Sequence, residues 1–487
     1  MDKEGRRFRV VATKKQRRTG GSIQIVFPSR EYARMNTSFE EQHRANFEGY
    51  AVAECGVKAL AGTKARAYLV RSLHIPSPGE YVEHSSISVT PSAEFMERTL
   101  SSASEHNAMV LEIHTHPGSD EPRFSSVDFG KGLENGRFLR SCRTRFGMLV
   151  AGSRGCSFME YDVEGDSMLV PGSVALSVID RSGLSQVMPV KAARDDSQVP
   201  PAFDRQVRIW GEECQRKIAG TTAGIVGLGG TGSMVLQMLA RLGVRKYVLC
   251  DPDLVEEPNL NRIPYAFAGD VGRKKTRVAS GYLKKLGQDL EVRTINERVQ
   301  DAPAGLGRCD VLFGCVDNDG ARLALNGAAL RYFIPYIDTG AEIFVEEDSV
   351  RGIGGQVRVV VPAVTGCLEC AGAIDHEQAA AGFLAADDVA MRHAAGYVHG
   401  TGQTPAPAAI TLNATLASMA VQEFVDMAAC RPRDSQQNYL IYDASLPGIE
   451  RLSFERREAC PMCGPAGVLG AGDPQKGAKA RLKMAQG

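Results

Sequence analysis

The run GIVGLGGTG at 224–232 and the stretch SMVLQMLARLG behind it constrain the fold of this 487-residue chain more than any other feature. GIV is short and apolar, as a buried strand is. The glycines permit a tight turn, and the residues that follow repeat their apolar positions at helical spacing. KYVLCD at 246–251 reads as a second strand, and DVLFGCVD as a later one entering the helix GARLALNGAAL. Strands alternating with helices predict a parallel, doubly wound sheet. Where such a strand turns into a helix, glycines let the backbone approach phosphates and the helix N-terminus offers free N–H groups. Gly227, Gly229, Gly230 and Gly232 therefore read as a nucleotide cradle. Asp251, ending the second strand, is placed to bind ribose hydroxyls. Glycines alone do not separate a dinucleotide from ATP.

The flanking residues do. FDRQVRIWG carries Arg205, DPDLVEEPNLNR carries Asp253, Asn259 and Arg262, GRKK carries Lys275, and CVDN carries Asp317. Over residues 204–464 this series resembles the ubiquitin-activating enzymes and their bacterial relatives ThiF and MoeB. The resemblance implies adenylation of a C-terminal carboxylate by ATP and Mg²⁺. Two anions must meet, so Arg262 and Lys275 would supply charge at the phosphates and Asp317 would hold the magnesium. It also implies that Arg205 reaches a neighbouring subunit's site, hence a homodimer through this domain. The pairs Cys367/Cys370 and Cys460/Cys463 have zinc-ligand spacing and together make a closed Cys₄ set; a redox role for one pair is the alternative. Relatives with a catalytic cysteine carry it after the first pair, but here none lies between Cys370 and Cys430. The adenylate is then expected to pass to an external thiol or amine, from a separate conjugating enzyme or a sulfur donor. Thr401 and Thr404, the alternatives, are unactivated hydroxyls and poor nucleophiles.

The first half holds a different chemistry. MVLEI reads as a strand entering His114-Thr115-His116, and alternation puts both imidazoles on one face. Asp128 begins a helix in SSVDF and completes two imidazoles and a carboxylate, the open ligand set of a catalytic zinc. H-x-H-P followed by S-x-x-D resembles the JAB/JAMM (MPN-type) metalloproteases over roughly residues 25–185. The resemblance makes His114, His116 and Asp128 the zinc ligands and Ser125 the oxyanion donor. Glu48 would be the general acid/base, with Glu54 as the alternative.

The expected fold is α/β: a JAB/MPN-like metalloprotease domain, then a Rossmann-like ThiF/E1-type doubly wound adenylation domain. The boundaries are a basic disordered tail at 1–22, the protease domain at 23–187, a linker at 188–203, the adenylation domain at 204–470 and a disordered tail at 471–487. Lys+Arg and Asp+Glu both number 57, so no global charge argues for nucleic acid as partner. No run of about 18 apolar residues suggests a membrane span. The basic N-terminus lacks a secretory apolar core, and the 12 cysteines read as reduced thiols or metal ligands; the expected location is the cytoplasm. Both halves suit one object, the C-terminal tail of a ubiquitin-like protein in a bacterial pathway, trimmed or released by one and activated by the other. The alternative is a sulfur-carrier system that forms a thiocarboxylate.

Overall fold

Every residue of MVLEIHT is buried, so alternation sends Met109, Leu111 and Ile113 to one core and Val110, with Glu112 and His114, to the other face of a sheet. The computed structural model describes residues 16–59, 65–116, 118–188, 199–286, 290–346, 349–383, 407–429 and 437–474. Two units emerge: Met1–Val178 with Gln186–Ala193 and Gly470–Gly487, and Ile179–Ser185 with Arg194–Leu469. Thr401, Thr404 and Cys430 lie outside the described residues, as do residues 1–15, 189–198 and 475–487 of the expected tails and linker.

The strands of the first sheet are β1 (Gln16–Arg18), β2 (Ser22–Pro28), β3 (Tyr50–Ala59), β4 (Arg66–His74), β7 (Met109–Thr115), β8 (Phe146–Ala151), β9 (Cys156–Asp162), β10 (Ser167–Val170), β11 (Ser173–Asp180) and β12 (Gly183–Met188). Their order is β1-β10-β9-β8-β7-β3-β4-β2-β11-β12, and β5 (Tyr81–His84) pairs separately with β6 (Val89–Pro91). Helix α1 (Ser29–Arg44) packs Met35 and Phe39 on one face. On the other, α2 (Ala93–Glu105) buries Phe95 and Ala103, and α3 (Ser126–Ser141) buries Leu139. Two expected boundaries shift. Residues 16–18, assigned to the basic tail, pair in parallel with β10. Gly472, assigned to the C-terminal tail, bridges Val57, while the Asp473 N–H donates to the Val57 carbonyl at 2.7 Å. The physical reason is an open edge: β7 stops pairing with β3 at Cys55, so the backbone of Val57 and Ala59 needs partners there. The approach is close enough that a Cβ at Gly56 would lie 2.0 Å from the Gly470 oxygen.

The second sheet runs β15-β14-β13-β16-β17-β18-β19-β20. Strands β13 (Thr222–Val226), β14 (Lys246–Cys250), β15 (Glu291–Ile295), β16 (Val311–Gly314) and β17 (Tyr336–Glu346) are parallel. The helices are α4 (Asp204–Gly220), α5 (Gly230–Leu242), α6 (Lys275–Lys285), α7 (Asp319–Tyr332), α8 (His376–Gly382) and α9 (Ile410–Ala428). The expected parallel sheet is in fact mixed, because β18 (Ser349–Val360), β19 (Tyr439–Asp443) and β20 (Ile449–Leu452) add antiparallel. The connection from β17 to β18 is too short for a crossover helix, so the chain can only fold back. Chain order reverses at β13, which lies between β14 and β16, and a doubly wound sheet opens its ligand crevice at that reversal. No described helix is long and apolar enough to cross a membrane.

Glu54, fully buried in β3, contacts His74 Nε2 at 2.7 Å and His106 Nδ1 at 2.9 Å. Burial pushes its carboxyl up, but hydrogen bonds from His74, Ser102 and His106 outweigh burial and hold it at about 2. A carboxyl lowered from its ordinary 4.5 stabilises the fold above that pH and loses its contribution as pH falls through about 2. Glu54→Gln should cost roughly 2–3 kcal/mol at neutral pH. It should also flatten the loss of stability on acidification below about pH 4.5, measured by denaturant titration of the full chain. An acid limb as steep as that of the parent protein would contradict this.

Candidate functional site

Two places gather reactive side chains. In the first unit, β7 carries His114 on the face covered by α3, and Asp128 lies in the first turn of that helix. Ser125 is the helix N-cap: its hydroxyl accepts the Asp128 N–H at 3.2 Å, and its own N–H donates to the Asp128 carboxylate at 2.6 Å. The cap therefore aims the carboxylate while leaving the Ser125 O–H able to donate. Asp128 oxygens stand 3.5 Å from His114 Nε2 and 3.7 Å from His116 Nε2. Those separations are long for hydrogen bonds but suit ligands sharing one ion. His114 Nε2 is buried with no hydrogen-bond partner, an orphan that a metal would satisfy. The donor set fits zinc.

Glu48 faces the same cleft of about 720 Å³, whose walls also include Tyr50, Glu112, Lys131 and Asn135. Thr115, the residue between the two histidines, sets its position. The Thr115 hydroxyl accepts the Gly49 N–H at 2.7 Å, and the Thr115 N–H donates to the Gly49 carbonyl at 3.0 Å. His84 Nε2 holds the Glu48 carbonyl at 2.8 Å. Burial, then the Asp128 charge, push the Glu48 carboxyl up to about 7 against the pull of Lys131. Such a group both takes and gives a proton near neutral pH. Glu54 is not with this set, since its oxygens are engaged by His74 and His106.

In the second unit the loop between β13 and α5 is built from close approaches. A Cβ at Gly232 would sit 1.8 Å from the Gly227 oxygen, and Gly227 itself holds φ 86°. Nothing lies within 4 Å of the Cβ position of Gly229, the open side of the cradle. Asp251 is buried, and burial raises its carboxyl. Its two oxygens accept the Leu228 N–H at 2.6 Å and the Asp253 N–H at 2.8 Å. It thus fixes the loop as well as facing it, a duty the sequence reading did not assign. Lys275 Nζ meets Asp253 at 2.8 Å. Asn259 caps its own turn through the Glu256 N–H at 3.2 Å, and its carbonyl accepts the Arg262 N–H at 3.1 Å. Arg262 Cδ comes 3.2 Å from the Cβ position of Gly230.

Asp317 follows β16 and is exposed, on a segment whose Cys315 carbonyl abuts Gly227. Beneath it Asp338, with no exposure, pairs with Arg322 Nε at 3.5 Å and Arg358 Nη1 at 3.3 Å, and Arg322 Nη2 donates to the Val316 carbonyl at 3.4 Å. Arg205 is the exception. It is exposed on the first turn of α4, where the next residue, Gln206, donates to the Leu242 carbonyl at the C-terminal end of α5. The glycine loop is at the other end of α5, some 20 Å away for a helix of this length, beyond the reach of an arginine side chain of the same chain.

Cys367, Cys370, Cys460 and Cys463 bring their sulfurs within 4.8 Å of one another. A hydrogen bond from Cys463 pushes the Cys367 thiol down, while the same contact pushes the Cys463 thiol up, as sulfurs this close share their protons. Four thiols around one point, three of them buried, match a closed structural zinc site and argue against the redox alternative, which needs an exposed pair.

A model of the ThiF family matches residues 203–462, more than half of the chain. Similar curated proteins include ubiquitin-like modifier-activating enzyme 5 of Drosophila sechellia, 30% identical over 169 residues, which are 32% of this chain and 40% of that protein. The Dictyostelium discoideum enzyme of the same name is 31% identical over 160 residues, 30% of this chain and 40% of that protein. The match therefore spans about 40% of these relatives' length. Among solved structures, Escherichia coli MccB with ATP is 21% identical, covers 55% of this chain and 75% of its own, and has a TM-score of 0.42. PaaA is 16% identical, covering 53% and 86%, with a TM-score of 0.40.

Metal analysis of the purified full chain is expected to find two zinc ions per chain. His116→Ala should remove one and Cys460→Ser with Cys463→Ser the other. Zinc content unmoved by His116→Ala would strip the first cluster of its assignment.

Proposed function

Because this chain belongs to the ThiF family, we propose that its second unit adenylates the terminal glycine carboxylate of a ubiquitin-like protein, and that its first unit is a zinc peptidase acting on the same tail. The observation that carries the adenylation reading is the gathering of Asp251, Asp253, Lys275, Arg262 and the 315–317 segment around one glycine loop. A carboxylate oxygen of the protein tail attacks the α-phosphorus of ATP, the bond to the bridging oxygen breaks, and pyrophosphate leaves. Backbone N–H groups at the start of α5 hold phosphate oxygens. Lys275 and Arg262 offset the negative charge that otherwise keeps the tail away, and Asp317 would hold Mg²⁺ across the phosphates. Arg205, stranded at the far end of α5, serves the loop of a second copy, so the working form is a homodimer. The adenylate then passes to a thiol or amine of a separate protein.

The peptidase reading rests on His114, His116, Asp128 and Glu48 facing one cleft. Zinc, when bound, would polarise the scissile carbonyl and acidify a water molecule. Ser125 donates its O–H to the carbonyl oxygen as charge develops there. Glu48 accepts the proton of the attacking water and returns it to the leaving amine.

ATP–pyrophosphate exchange with ubiquitin-like proteins ending in glycine tests the first half. Asp317→Ala should lower exchange by at least a hundredfold while cleavage of a C-terminally extended ubiquitin-like protein persists. Glu48→Gln should retain zinc and lose at least a hundredfold in cleavage, with exchange intact. Exchange that is absent with every such protein, or cleavage unchanged in the Glu48 variant, would refute the corresponding half.

A further inference from the structure

Among the buried residues of helix α9, Leu412, Leu416, Ala417 and Ala420 are apolar; Glu423 is buried but pairs with Arg451, and Asn413 is only 4% exposed. The Thr231 hydroxyl donates to Asn413 Oδ1 at 3.2 Å, which orients the amide and turns Nδ2 toward the glycine loop. Nδ2 occupies the space of a side chain at Gly230, whose Cβ would lie 2.0 Å from it. That nitrogen is buried and donates to nothing. A buried donor left without an acceptor is costly, and an apolar residue at this position would avoid that cost. Arg262 Cδ flanks the same glycine at 3.2 Å. A buried amide donor and the free N–H groups of a 13-residue helix therefore converge on one small space, beside Arg262, whose guanidinium donates to the Pro258 carbonyl and to Asn261 Oδ1 at 3.2 Å. An anion is the occupant that satisfies both the amide and the helix N–H groups.

We propose that Asn413 is a phosphate ligand, donating from Nδ2 to a phosphate oxygen of the nucleotide at the N-terminus of α5. The assignment rests on the nucleotide-binding reading of the second unit and adds a contact from α9, a helix far along the chain from the glycine motif. It also accounts for Gly230, since any side chain there would displace the amide.

Titration calorimetry on the full chain, without any protein substrate, tests this. Asn413→Asp keeps an acceptor for Thr231 and replaces the donor with an anion. ATP affinity is expected to fall at least tenfold while adenosine affinity stays within twofold. Asn413→Ala, which only removes the donor, should weaken ATP roughly tenfold or less; it decides the matter if the aspartate variant fails to fold, as judged by its melting temperature without nucleotide. A folded variant that binds ATP as well as the parent, or loses ATP and adenosine equally, overturns the assignment. A parent protein that binds no ATP at all overturns instead the reading on which it rests.

Discussion

The hydrogen bond from Leu228 to Asp251 is the constraint on which the second unit's site depends. A glycine-rich turn is conformationally permissive, and left alone it would sample many shapes. Asp251, at the end of the neighbouring parallel strand, takes the loop's N–H at 2.6 Å and so references the loop to the sheet. The same carboxylate takes the Asp253 N–H, and Asp253 in turn meets Lys275. One buried acid thereby links cradle, strand end and cation. Its burial costs desolvation energy, which the nearby Lys275 charge and two N–H donors offset in part.

The first unit solves a similar problem with a threonine. Thr115, between His114 and His116, points away from the cleft, and its hydroxyl and N–H both bind Gly49. Glu48, two residues before β3, and His114 on β7 are thus clamped at the one place where their relative position matters. Preorganisation of this kind lets a proton-transferring group act without reorganising at the moment of reaction.

Features written in adjacent residues were legible from sequence. The glycine loop, H-x-H, S-x-x-D and the two C-x-x-C pairs each lie on one element or one turn, so spacing reports geometry directly. Contacts between remote segments were not. Nothing in NATLAS marks Asn413 as a neighbour of Gly230, apart from a polar residue interrupting an apolar helix face. Glu48 and Glu54 are indistinguishable in NFEGYAVAECG, because only the fold puts His74 and His106 against the second. The antiparallel part of the second sheet escaped for a related reason: β18 and β19, which pair, are separated in the chain by α8 and α9. The position of Arg205 depended on how α4 packs against α5, which no motif encodes.

The strip from Gly470 to Asp473 that lies along β3 makes the first unit discontinuous in the gene, since it is synthesised only after the entire second unit. On the ribosome, the Val57–Ala59 edge stays raw throughout translation of the second unit. A gene fragment ending after β12 would leave that edge bare for good, open to pairing with other chains.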